Sequence, residues 1–171
     1  DLTDSREVQL LAGIVTGLRI VNGQRGRTAI FKLDDASDAI EAVVNEELLD
    51  ASRDLLAEDA LVIAQGKVQL DRFNGGLRFG VNALWDLPAA RARFGRYLQV
   101  ALNGGLPPVG DVVRTWPARR IDSEHGQLTQ GLAVRLQIRR AEAVAEVDLG
   151  DDGRFWPSDE ALARWRQLAH G

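Results

Sequence analysis

The chain has 171 residues, 45% of them apolar, enough for one large or two small domains with packed cores. It contains no cysteine, which excludes a disulfide framework and thiolate chemistry, and its formal net charge of -4 excludes a surface that is basic all over. Methionine is absent even at position 1, and no run is long and apolar enough to span a membrane, so the expectation is a soluble, cytoplasmic piece of a longer protein.

Leu10 to Ile20 is aliphatic and β-branched with Gly13 and Gly17 inside it, the composition of a strongly bent first strand. Asn22 to Gly26 reads as a loop, Thr28 to Leu33 as a second strand, Asp34 to Asp38 as a turn and Ala39 to Val44 as a third strand. Leu48, Leu49, Ser52, Leu55 and Leu56 then recur at helical spacing, which predicts a helix over 46–57. Ala60 to Leu70 and Leu77 to Leu84 read as strands four and five, joined at Asn74-Gly75, a dipeptide suited to a turn with two positive φ angles. Pro88 to Arg96 is expected as a helical linker. Beyond it, Tyr97 to Leu102 suits a strand and Pro108 to Trp116 a helix. Leu132, Val134, Leu136 and Ile138 alternate with polar residues in a strand that pairs with Ala141 to Leu149. Ser158 is placed as the N-cap of a last helix running to Ala169.

Three strands, a helix and two more strands is the order of an OB-fold, a five-stranded Greek-key barrel. The expected fold class is therefore β plus α+β: an OB-fold barrel over residues 8–87, a helical linker over 88–96, and a small α+β domain over 97–171.

Charge is segregated along the barrel. Arg19, Arg25, Arg27 and Lys32 fall within fourteen positions with no acid among them, whereas Asp34 to Asp59 holds ten acids against one base, Arg53. OB-folds take ligands across strands two and three, between the first and last hairpin loops. Here those loops carry Gln24, Arg25 and Arg27, then Arg72, Phe73 and Arg78, with Phe31 and Lys32 on the strand between. Arginines supply phosphate contacts and aromatics supply stacking faces, so the expected DNA-binding set is Arg19, Gln24, Arg25, Arg27, Phe31, Lys32, Arg72, Phe73 and Arg78. Phe31 and Phe79 also suit the barrel core, as strand aromatics usually do. Catalysis and metal binding are not expected. His125 and His170 lack partner ligands, Asp34-Asp35 reads as a turn, and no phosphate-binding glycine loop or nucleophile elbow occurs. No cofactor is called for.

Several motifs, in order, resemble the C-terminal region of the bacterial DNA polymerase III α subunit. They are Gly13-Ile14-Val15, Gly23-Gln24-Arg25-Gly26, Lys32-Leu33-Asp34-Asp35, Asn74-Gly75-Gly76-Leu77, the barrel exit at Asp86-Leu87 and Ala90-Arg91, and Arg154-Phe155-Trp156-Pro157-Ser158-Asp159 before the last helix. The chain departs from the pattern in two places: Gly23-Gln24 replaces a Thr-Lys, and Asn45 stands where an aromatic is common. The resemblance implies a parent that is a DNA-directed DNA polymerase whose catalytic carboxylates lie outside this chain. It further implies a barrel that binds single-stranded template DNA, and a terminal domain that docks the clamp-loader τ subunit within the replisome. Two other readings suit the residues: an anticodon-binding OB domain of an aminoacyl-tRNA synthetase, and a pure protein-interaction module.

Overall fold

A computed structural model of the protein describes residues 6–170. The chain divides into two compact units, Asp1–Leu87 and Pro88–Gly171.

The first unit is a closed barrel of β1 (Gln9–Gly23), β2 (Gly26–Asp34), β3 (Ala39–Val44), β4 (Leu61–Leu70) and β5 (Leu77–Trp85), in the order β1-β2-β3-β5-β4, with α1 (Glu46–Ala51) between β3 and β4. The first strand closes it. Its Gln9–Ile14 half pairs with β4 and its Ile14–Gly23 half with β2. The bend falls at a register shift between Thr16 and Arg19, where Gly17 adopts φ 62°, a left-handed conformation that a side chain would strain. Glu58 secures it, accepting the N–H groups of Leu18 at 3.0 Å and Gly17 at 2.7 Å, and these donors hold its carboxyl below the usual range. Alternate residues of the strands point inward, and Val15, Phe31, Ala42, Val68 and Phe79 meet in a dry core.

Three local details differ from the sequence expectation. The helix stops at Ala51, not Ala57, and Ser52 to Leu55 continues as turns. Asn45 is its N-cap, accepting the Leu48 N–H at 2.9 Å, so an amide here caps the helix. The β4–β5 connection is longer than a two-residue turn. Asp71 and Gly76 close it, only Gly75 has positive φ (70°), and Asp71 accepts the Phe73 N–H at 2.9 Å.

In the second unit β6 (Leu98–Asn103) and β10 (Ala143–Asp148) flank β9 (Val134–Arg140), with β6 parallel and β10 antiparallel to it. Helices α2 (Leu87–Phe94), α3 (Val109–Thr115) and α4 (Asp159–His170) complete it. Its separate core gathers Val100, Leu102, Val112, Val134, Leu136, Phe155 and Trp165. The Ser158 hydroxyl caps α4 by accepting the Ala161 N–H at 3.2 Å. Residues 88–96, expected as a linker, are tied into this unit: Arg91 donates to the Pro157 carbonyl at 3.1 Å and pairs with Asp159 at 2.7 Å. A hairpin absent from the sequence reading, β7 (Arg119–Ser123) and β8 (Gly126–Gln130), occupies the segment around His125.

Candidate nucleic-acid interface

Strand register decides which barrel side chains share a face. Thr16, Lys32, Glu41, Arg78 and Gln69 are successive partners across β1, β2, β3, β5 and β4, and Arg19, Ile30, Val43, Gly80 and Lys67 form the next row. Partners in register point the same way, so both rows lie on the outer surface while Phe31, Ala42, Phe79 and Val68 form the inward row between them. The β1–β2 turn, Gln24-Arg25, and the β4–β5 loop, Arg72 to Gly76, rise at the ends of these strands and are exposed.

Of the expected residues, Arg19 and Lys32 are exposed on this surface, Gln24, Arg25, Arg72 and Phe73 stand on the two loops, and Arg78 is half-buried in the central row. Phe73 is 96% exposed, an aromatic face with nothing against it. Arg25, Lys32 and Arg72 form no ion pair among the described residues. Lys67, missed in the sequence reading, is also exposed and unpaired here. The alternation that buries Val68 would have placed it outward.

Two expected members are corrected. Phe31 is 1% exposed and fills the barrel core beside Phe79, one residue out of phase with Lys32, so it offers no face to a base. Arg27 is committed elsewhere: its Nε donates to Glu46 Oε1 at 2.9 Å and its Nη2 to Asp50 Oδ1 at 3.0 Å, clamping α1 against β2. The hydrogen bond to Glu46, then the Asp50 charge, raise its pKa further.

The face is not uniformly positive. Glu41 sits in its central row, within 3.7 Å of the Arg19 guanidinium, and accepts from Arg78 at 2.9 Å and 2.5 Å. Arg78 also pairs with Asp71 at 3.2 Å. The face therefore carries unpaired cations at its rim and, at its centre, two arginines held by Glu41.

Asp34 and Asp35 form a turn. Asp34 accepts the Ala36 N–H, and Asp35 accepts the Ser37 hydroxyl at 2.6 Å and the N–H groups of Ser37 and Asp38. The Ser37 hydroxyl, followed by the backbone donors, lowers the Asp35 pKa to about 2. Among the described residues no group of three His, Cys, Asp or Glu is placed to hold a metal ion. The His125 N–H bonds the Ser123 hydroxyl in the β7–β8 turn, and the side chain of His170 lies outside the described residues. Among the described residues no helix is long and apolar enough to cross a membrane.

Residues 10–87 match a protein-family model described as an OB-fold nucleic acid binding domain. DNA polymerase III subunit alpha of Pseudomonas aeruginosa is 30% identical over 167 residues, 97% of this chain and 14% of that protein. The chain is homologous to a segment of DNA polymerase III subunit alpha. The subunit of the same name from Escherichia coli is 31% identical over 176 residues, again 97% of this chain and 14% of that protein. The Neisseria meningitidis polymerase subunit is 38% identical over 113 residues, 65% of this chain and 10% of that protein. The chain thus spans about one seventh of the length of the polymerase subunits it matches. A solved SSB domain from Synechococcus superposes on 48% of this chain and 98% of that domain, with a TM-score of 0.41 at 10% identity.

Proposed function

We propose that the barrel of this polymerase segment binds single-stranded DNA across the outward face of β1, β2, β3 and β5, between the β1–β2 and β4–β5 loops. One observation carries the reading: unpaired Lys32 stands on the outward face of β2, and unpaired Arg25 and Arg72 and a fully exposed Phe73 stand on the two rim loops that flank it. A phosphate chain follows the cations while a base stacks on Phe73. Arg19 and Arg78 join once the phosphates compete with Glu41, and Gln24 offers a neutral hydrogen bond at the tip of the first loop. The contact is non-catalytic. The chemistry belongs to a polymerase parent whose catalytic carboxylates lie outside this chain, and the barrel's task there is to hold template in the cytoplasmic replisome.

The second unit, assigned residues 97–171 with 88–96 leading into it, serves as the docking site for the clamp-loader τ subunit. Homology along 97% of the chain supports this, since it runs through both units. The same coverage disfavours a stand-alone anticodon-binding domain.

Titration of fluorescein-labelled oligo-dT at two salt concentrations tests the DNA half. Binding weakens with salt, by a log–log slope of about 0.7 per phosphate contact. An absence of binding at low salt, or a preference for tRNA in competition, refutes it.

A further inference from the structure

In the second unit, β6 is an edge strand: it pairs with β9 on one side and, among the described residues, with no strand on the other. Leu98 donates its N–H to the Ala133 carbonyl at the β9 side. By strand alternation Gln99, Ala101 and Asn103 turn their N–H and C=O groups to the free edge. Edge strands are commonly blunted with lysine, proline or inward charges. The other edge, β10, carries Glu146 and Asp148, whereas β6 reads Leu-Gln-Val-Ala-Leu-Asn and carries no charge and no proline.

Beside this bare edge runs a groove of about 320 Å³ between β6 and α4. Leu98, Leu162, Trp165 and Ala169 wall it with apolar surface. Such walls give water few hydrogen-bond partners. Trp165 is 2% exposed, packs edge-on to Phe155 at 5.7 Å, and leaves its indole N–H without an acceptor, an uncommon condition for a buried donor. Arg166 lies at the groove with an exposed side chain and no ion pair among the described residues.

We infer that this groove takes an extended peptide from a protein partner, added as a further strand on β6. Its alternate residues are apolar, packed against Leu98, Leu162 and Trp165, and an acidic residue lies opposite Arg166. Backbone pairing with Gln99, Ala101 and Asn103 supplies affinity, and the apolar and acidic positions supply selectivity. The inference rests on the reading of this unit as a protein-docking unit and names the chemistry of what docks.

The probe is a phage-displayed library of random linear dodecapeptides panned against the full 171-residue chain. Ala101→Pro removes one edge N–H at a position where a proline is tolerated, and Arg166→Glu reverses the charge at the groove. Circular dichroism checks that both fold, and Arg166→Glu alone keeps the test decisive if Ala101→Pro does not. Enriched peptides are expected to alternate apolar residues and carry Asp or Glu. Synthetic copies should bind Ala101→Pro at least fivefold more weakly, and Arg166→Glu should prefer lysine-substituted copies. Peptides that ignore both substitutions, or no enrichment, overturn the inference. So does a concentration-dependent dimer that Ala101→Pro dissolves, because a second copy is then the occupant. Purified τ subunit is titrated separately. Equal binding of τ to the wild type and to Ala101→Pro overturns the edge site and leaves τ docking intact. Peptide binding without τ binding refutes τ docking and upholds the edge site.

Discussion

Replacing Glu41 by Gln should strengthen single-stranded DNA binding. Glu41 is the one acid in the outward row of the barrel, and it holds Arg78 at 2.5 Å and Arg19 at 3.7 Å. A phosphate about 6 Å from its carboxylate is repelled by about 0.7 kcal/mol at the dielectric of water and by about 2.8 kcal/mol at an effective dielectric of about 20. Screening at ~0.15 M salt, with a Debye length of about 8 Å, roughly halves both values. The remaining 0.3–1.4 kcal/mol, an order-of-magnitude range, corresponds to a gain of about two- to tenfold in affinity. Arg19 and Arg78 also become available, so the log–log salt slope should steepen by about 0.7 for each one that takes a phosphate. Stability should change little, because half-exposed ion pairs contribute at most about 1 kcal/mol. Fluorescence anisotropy with labelled oligo-dT at two salt concentrations measures both quantities, and a thermal melt checks the fold. Equal or weaker binding by a folded Glu41→Gln variant would show that DNA does not cross this face.

The other predictions separate binding from folding. Phe73→Ala should weaken oligo-dT binding roughly tenfold, within the usual worth of one stacked base, and leave the melting temperature unchanged because the ring touches nothing. Arg25→Ala should weaken binding to all sequences alike without a stability cost, as expected of a phosphate contact, while Arg27→Ala should barely alter binding and, because half-exposed ion pairs contribute little, lower the melting temperature by no more than ~4 °C. The Ser37 hydroxyl and the backbone donors hold the pKa of the Asp35 carboxyl at about 2, below the usual carboxylate range, so its turn favours folding above the unfolded pKa and loses that contribution as pH falls from about 4 to about 2. Acid unfolding of Asp35→Asn, followed by circular dichroism, should show a weaker pH dependence in that window than the wild type; an unchanged profile would mean the turn carries no such linkage.

The barrel was legible because each strand combined a period of two with clear punctuation. Ala39 to Val44 is observed at the residues expected, and Gly17 bends β1 where the barrel requires it. The helix end was harder to see, since Leu55 and Leu56 kept helical spacing while packing into the barrel core from beyond Ala51. The β7–β8 hairpin was missed because all but one of its residues is exposed, which leaves no apolar alternation to mark it. Site membership failed for a different reason. Spacing along β2 brought Arg27, Phe31 and Lys32 close in sequence; the core reading of Phe31, which the sequence also offered, is the one its burial supports, whereas the two α1 acids that meet Arg27 become visible only in the fold.

That register also accounts for the role of the acidic run from Asp34 to Asp59. Read linearly, it is a block of charge that repels DNA. In the fold, Glu46 and Asp50 are spent on Arg27, Glu58 on the β1 bend, and Asp35 on its own turn. Glu41 is the member of the run that stands in the outward row of the proposed face, among Lys32, Arg19 and Arg78. An acid so placed keeps two arginines ordered when the face is empty, and each phosphate contact made through them must displace it. On the proposed reading, such a surface holds a strand more loosely than one without Glu41, which is what the Glu41→Gln titration measures.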